Sequence, residues 1–337
     1  MLWNVTLRGD PWHIHSGVAF ARVGRMTNII EVHDLKKQYG DFQAVKGLDF
    51  VIKQGEIFGF LGPNGAGKTT TIAMLSTLFA PTSGTATLCG FDLVRSPGEI
   101  KKRIGLVPQD LALYPTLSAR DNLEFFGSIY GLRGKDLKER VNWALELVGL
   151  ADRAKEAIDK YSGGMKRRIN IAAGLLHRPE ILFLDEPTVG VDPQSRNYIF
   201  ENIERLNKDG LTILYTTHYM EEAESLCHRV AIIDQGRIIA LDTPKALINS
   251  LGGGIIHMGL LNGKAEAVAA QAQNLKAIKS IRRLNGTLEI ETHRAQEALI
   301  GLLDLSNRAE ATVTSLEILQ PNLETVFLHL TGKMLRD

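Results

Sequence analysis

From Thr27 to Asn249, short continuous apolar runs alternate with segments whose apolar residues recur every three or four positions. Runs of the first kind predict buried strands and segments of the second kind predict helices, so the pattern reads as α/β. Strands are expected near Ile29–His33, Gly47–Lys53, Glu56–Leu61, Thr85–Leu88, Ile104–Val107, Ile181–Leu184, Leu211–Thr216, Arg229–Asp234 and Arg237–Leu241. Helices are expected at Thr70–Phe79, near Pro97–Lys102, at Pro193–Lys208 and at Pro244–Asn249. Residues 119–160 read as wholly helical, with Leu123, Phe126, Ile129 and Tyr130, then Val141, Leu145 and Val148, in helical spacing, and Gly131, Gly134 and Gly149 marking the breaks. Another helix opens at the YSGGM run, residues 161–165, and carries Ile169, Ala172, Ala173 and Leu176 at that spacing. Together these predict a helical subdomain of about residues 119–178 within a domain spanning 27–250.

Gly252-Gly253-Gly254 reads as a hinge, and the pattern changes after it. Strands at Ile255–Leu261, Ile278–Arg282, Leu288–Glu291 and Ala311–Leu319 and helices at Ala265–Ala277 and Ala295–Leu303 give the order strand-helix-strand-strand-helix-strand. That is a split βαβ unit, which makes 251–337 a small α+β accessory domain. Pro321 is expected to start a last helix, with Leu323, Val326, Phe327 and Leu330 on one face. Residues 1–26 show neither period and lack the features of a signal peptide. They are expected to be a disordered tail, or to follow from a start codon assigned too far upstream.

The 337 residues are 44% apolar and 23% charged, as in an ordinary globular chain of two domains. A formal charge of +1 gives no electrostatic case for nucleic acid as a partner. Cys89 and Cys227 are too few and too far apart for a metal framework and fit a reducing compartment. No run approaches the roughly 18–20 apolar residues that cross a bilayer, so any pore would belong to another polypeptide.

Candidate chemistry concentrates in a few runs. Residues 62–69, GPNGAGKT, fit G-x-x-x-x-G-K-[ST] directly after an expected strand. There Gly62, Gly65 and Gly67 let the backbone approach phosphate oxygens, Lys68 brings a charge to the β/γ-phosphates, and Thr69 offers a hydroxyl to Mg²⁺. Pro63, Asn64, Ala66 and Thr70 complete the loop and the helix start that face the phosphates. Ser162, Gly163 and Gly164 make a second anion-binding helix start. One nucleotide does not need two such starts, so the second is expected to serve the nucleotide held by another copy. The functional unit is then a dimer.

Strand 181–184 delivers Asp185 and Glu186 side by side, as a metal-assisted reaction would need. Gln109 follows a strand and is either a solvated turn residue or a ligand of Mg²⁺ or of attacking water. Tyr39 is either half-buried surface or an aromatic face for adenine. His218 is another polar group at a strand end, where parallel α/β sheets hold ligands. Lys166, Arg167 and Arg168 read as a solvated face near the dimer seam rather than a nucleic-acid patch.

With GPNGAGKT, Gln109, YSGGM, ILFLDEP, VGVDP and His218 in that order, roughly residues 27–250 resemble the ATP-binding subunit of ABC transporters. YSGGMKRR, TTHYMEEAE and the terminal PNLETVFLHLTGK resemble the branch of daunorubicin- and linearmycin-resistance exporters. The resemblance implies a P-loop NTPase cassette with a helical subdomain. It implies Tyr39 against adenine, Gln109 as the switch toward the membrane subunit, Asp185 on Mg²⁺ and Glu186 as general base. His218 would contact the γ-phosphate, and Ser162 and Gly164 would close on the nucleotide of the opposite subunit. Tyr161 and Met165 stand where many ABC proteins have Leu and Gln, as is frequent in this branch. Val191 stands where Leu is usual before Asp192-Pro193, which concerns only packing at the dimer interface. The implied cofactors are ATP and Mg²⁺. The implied partners are separate permease subunits and a second copy at the cytoplasmic face of the membrane, with no nucleic acid. An ATPase acting on the ribosome or DNA fits less well, because one cassette is present and no long coiled coil interrupts it. A small-molecule kinase would need an acceptor pocket in place of YSGGM.

Overall fold

The computed structural model describes residues 27–250, 253–261, 264–284, 287–319 and 322–332. The stretch 1–26, Gly252 of the glycine run and Pro321 lie outside them. Among the described residues no helix is long and apolar enough to cross a membrane. The described residues divide into two compact units, 27–33, 49–56 and 74–214 in one and 34–48, 57–73 and the described residues from 215 onward in the other.

One sheet has the order β2 (Phe42–Lys53), β1 (Asn28–Tyr39), β4 (Ser83–Leu88), β5 (Phe91–Asp92), the last pair antiparallel. The first unit holds β6 (Ile104–Val107) and β7 (Ile181–Asp185), and β7 is followed in its sheet by β8 (Thr212–Thr217). β6 and β7 are parallel, Ile104 opposite Ile181 and Val107 opposite Leu184, and every residue of β7 is buried. Such continuous burial is why this strand reads as an uninterrupted apolar run. The unit's helices are α2 (Pro97–Lys101), α3 (Ala119–Ile129), α4 (Gly134–Leu147), α5 (Gly163–Gly174) and α6 (Pro193–Lys208). The expected breaks at Gly131 and Gly149 are present, and the helical reading of 119–160 is corrected only after Gly149. Gly131 and Gly149 adopt φ of 85° and 63°, which end α3 and α4, and short 3-10 turns at Ala151–Arg153 and Ile158–Lys160 precede α5.

In the second unit the order is β10 (Arg237–Asp242), β9 (Arg229–Asp234), β3 (Ile57–Leu61), β8. β3 and β9 are parallel, and β9 turns antiparallel into β10 through Gln235-Gly236. Its helices here are α1 (Lys68–Leu75), α7 (Met220–Leu226) and α8 (Pro244–Asn249).

Residues 254–319 give the expected order, with β11 (Gly254–Leu260), α9 (Ala265–Ala272), β12 (Ile278–Leu284), β13 (Thr287–Thr292), α10 (Ala295–Arg308) and β14 (Val313–Leu319). The sheet order is β12-β13-β11-β14 with antiparallel neighbours. Alternate residues Ile256, Met258, Leu288 and Ile290 form one core with Val268 of α9 and Leu302 of α10. A last helix, α11 (Leu323–Thr331), starts on an Asn322 capping box and lies against α7 and α8 with Leu323, Val326 and Phe327 buried.

Candidate functional site

The phosphate loop occupies the turn between β3 and α1, and its glycines are required for different reasons. A Cβ on Gly62 would stand 2.2 Å from the Ile233 carbonyl oxygen, so close packing of the loop's entry on β9 admits no side chain. Gly65 and Gly67 have φ of 80° and 105°, the left-handed region that L side chains avoid. The loop is laced in place from below. Gly236 donates its N–H to the Ala66 carbonyl at 3.0 Å, and its own carbonyl accepts the Lys46 N–H of β2 at 2.8 Å. Lys68 is 4% exposed and donates to the carbonyls of Gly62 at 2.7 Å and Pro63 at 3.2 Å. Its ammonium is thus held inside the curve of the loop. Thr69 is exposed beside it, and Asn64 and Gly65 are exposed at the loop's tip. Tyr39 ends β1, the strand before β2; the residue is 45% exposed, and the Lys37 ammonium stands 5.2 Å over its ring. An exposed flat ring in the phosphate loop's own unit suits base stacking.

His218 follows β8 directly, in the same unit. Its ring is half-buried and lies against the Tyr219 ring, centroids 4.1 Å apart. The Thr217 carbonyl accepts the Gly62 N–H at 3.3 Å, so the residue before His218 is bonded to the first residue of the phosphate loop.

The other unit holds Gln109, Ser162, Gly163, Gly164, Asp185 and Glu186. Asp185 is the last residue of β7 and is 2% exposed; Glu186 is 4% exposed. Glu186 has φ of 46°, unusual for a residue with a side chain and costing on the order of 1 kcal/mol or more. Strain of this kind collects at sites where a side chain must be aimed.

Gln109 is exposed on the loop after β6. That loop is held by buried polar side chains. Arg167 of α5, 5% exposed, donates to the carbonyls of Pro108 at 2.8 Å and Gln109 at 2.6 Å. Asn170 accepts the Ala112 N–H at 3.3 Å, and Asn122 of α3 accepts the Tyr114 N–H at 2.8 Å. The expectation that Lys166, Arg167 and Arg168 form a solvated face is therefore corrected. Arg167 is an internal brace, and Arg168 is half-buried over the Tyr198 ring at 4.8 Å while donating to the Val148 carbonyl. Carbonyl oxygens of a distant loop supply the partners that make burying a guanidinium tolerable.

Ser162 is the N-cap of α5, its hydroxyl accepting the Met165 N–H at 3.2 Å. Ser162 and Gly163 are exposed and Gly164 is buried. A capped helix start with its first residues in the open presents free N–H groups to an anion. Asp192, the N-cap of α6, accepts the Ser195 N–H at 2.9 Å, a bond that holds its carboxyl below the usual range.

Comparison with known proteins decides the family. The ABC transporter family model matches residues 45–189. The linearmycin resistance ATP-binding protein LnrL of Bacillus subtilis (strain 168) is 46% identical over 311 residues, covering 92% of this chain and all of that one. The chain belongs to the ABC transporter ATP-binding family. It is also 37% identical to the daunorubicin/doxorubicin resistance ATP-binding protein DrrA of Streptomyces peucetius, over 91% of this chain and 93% of that one. A dimeric ATP-binding cassette in a post-hydrolysis state, bound to ADP and Pi, superposes with a TM-score of 0.59 at 26% identity, over 64% of this chain and 98% of that one.

The fold is thus that of the ABC ATPase cassette, a P-loop NTPase with mixed α/β sheets. ATP is the nucleotide and its hydrolysis is the activity. Where this ABC protein departs from the commoner pattern, packing inside the chain accounts for the residue. Tyr161 is buried and donates its hydroxyl to the Arg153 carbonyl at 2.7 Å, Met165 meets Arg153 Nη1 through sulfur, and Val191 is buried.

The two glycines of the α5 start separate packing from ligand approach. A Cβ on Gly164 would lie 2.2 Å from Ser195 Oγ and 2.8 Å from Asp192 Oδ2, whereas one on Gly163 meets nothing closer than 3.7 Å. Gly164→Ala is expected to lose roughly 1–3 kcal/mol in a denaturant titration, the usual cost of overpacking. Gly163→Ala is expected to unfold at the same denaturant concentration as the parent while losing ATP turnover. Equal stability losses in the two would reduce both glycines to packing.

Proposed function

We propose that the chain powers an exporter of a drug-like or lipid-like molecule, working as a head-to-tail dimer beneath separate membrane-spanning subunits. The observation that carries this is the pair of anion-binding helix starts, the phosphate loop at α1 and the open Ser162–Gly163 start at α5, in a chain with a single phosphate loop. Each ATP is then gripped by residues 62–70 of one copy and by 162–164 of the other. Resistance and export in the names of the relatives support the direction of transport, and Nod factor export ATP-binding proteins of 38–40% identity support it further.

The exposed Thr69 hydroxyl and the buried Asp185 carboxylate are hard oxygen donors suited to Mg²⁺, which when bound neutralises charge on the β- and γ-phosphates; Gln109 is a further candidate ligand. Tyr39 stacks on adenine and Lys68 holds the β/γ-phosphates. His218 contacts the γ-phosphate. Glu186 orients the attacking water and takes its proton. Loss of the γ-phosphate releases the contact between the two copies, so ATP biases a clamp between closed and open states. The loop after Gln109 leaves Leu111 and Tyr114 exposed and is braced by Arg167 of α5, which suits it to pass that motion to a membrane subunit at the cytoplasmic face. Residues 27–250 are the ATPase domain and 251–337 an accessory domain.

Co-expression with a candidate permease of about six hydrophobic spans and reconstitution in vesicles tests this reading. Co-purification and an ATPase rate raised by linearmycin or daunorubicin, the drugs in the relatives' names, are expected. Stimulation by ribosomes or DNA, with no binding to any permease, would replace the transporter reading by the soluble one.

A further inference from the structure

The backbone around His218 is fixed by Thr217 and by a carboxylate four residues after the histidine. The Thr217 carbonyl accepts the Gly62 N–H at 3.3 Å, while its hydroxyl accepts the Tyr219 N–H at 2.9 Å. That hydroxyl donates to Glu222 Oε2 at 2.7 Å, and the same oxygen accepts the Tyr215 hydroxyl at 3.0 Å. Glu222 is 2% exposed, on the face of α7 that also buries Ala223 and Leu226. Packing alone would be met there by Leu or Met without the cost of taking a carboxylate out of water. Bonds from hydroxyls to a carboxylate are strong, and a hydroxyl has one proton to give. With that proton committed to Glu222, the lone pairs of Thr217 Oγ1 are left for the Tyr219 N–H.

We propose that Thr217 and Glu222 are positioning residues for His218. The carboxylate sets the rotation of the Thr217 hydroxyl, the hydroxyl holds Tyr219, and His218 between them is kept in register with Gly62 and the phosphate loop. Neither residue touches the nucleotide. The proposal rests on the reading of His218 as a γ-phosphate contact.

The test uses the full chain and measures steady-state ATP turnover and equilibrium ATP affinity for Thr217→Val and Thr217→Ser, alone and combined with His218→Ala. Thr217→Val keeps the shape and loses the hydroxyl. It is expected to lower kcat roughly 10- to 100-fold with ATP affinity changed less than about threefold, and Thr217→Ser to restore most of the rate. On the His218→Ala background Thr217→Val should add less than about twofold, because the group it positions is gone. Should Thr217→Val fail to fold, Glu222→Gln carries the same test, with an expected loss of roughly 3- to 10-fold that also vanishes on that background. If the losses from Thr217 or Glu222 multiply with that from His218→Ala, the positioning role is refuted while His218 keeps its own. If His218→Ala turns over normally, the reading of His218 fails first and the positioning proposal with it.

Discussion

Glu186→Gln is expected to lower ATP turnover by roughly 10²–10⁴-fold, the usual worth of a positioned general base, while ATP still binds. The substitution keeps the side-chain shape, so the buried position at the end of β7 and the φ of 46° are retained and only the proton acceptor is lost. The strained backbone makes this a sharp test. A residue holding a left-handed conformation for turn geometry alone would show no rate loss on an isosteric change. Because the bound nucleotide would stay uncleaved, the variant is also expected to accumulate as an ATP-dependent dimer on gel filtration. Single-turnover rates and equilibrium binding decide the matter. Near-normal hydrolysis would remove Glu186 from the chemistry.

How much of this was legible in the sequence follows from which forces leave a local trace. Largely buried parallel strands did so, and β6 and β9 have the expected limits, Ile104–Val107 and Arg229–Asp234. β1 and β2 are longer than expected because their added halves are partly solvated. The run Lys36–Tyr39 is half-buried or exposed and carries no apolar signal. α1 stops at Leu75, short of Phe79, where Thr77 turns to a φ of 60° and Leu78 and Phe79 are left exposed. α7 went unread because seven residues hold too little of a period. Even so, Glu222 shares the spacing of Ala223 and Leu226, which was the available sign that this carboxylate points inward. Arg167 left no such sign that could be trusted, since its partners are carbonyls of Pro108 and Gln109, far away along the chain. The phosphate loop was legible for the opposite reason. Its glycines, its lysine and its following hydroxyl act on a ligand within one turn of chain, so all of its requirements fall in adjacent letters.

Ser162→Arg is expected to abolish hydrolysis in the dimer and to leave ATP affinity of the isolated chain unchanged, since Ser162 would face the nucleotide of the other copy. The serine is exposed, so an arginine fits the fold, and the lost N-cap bond to Met165 costs about 1 kcal/mol of stability. Lys68→Ala is expected to abolish hydrolysis from the other side by weakening the grip on the β/γ-phosphates in its own chain. The two inactive proteins then make a decisive mixture. A mixed dimer joins the intact phosphate loop of the Ser162→Arg chain to the intact α5 start of the Lys68→Ala chain, so one complete pocket forms at the seam. ATPase activity should therefore appear on mixing and rise with dimer formation, although neither protein alone shows any. A chain that completed its own pocket would gain nothing from the mixture, because each copy would carry its own defect. Silence in the mixed sample, with dimers present, would thus overturn the shared pocket.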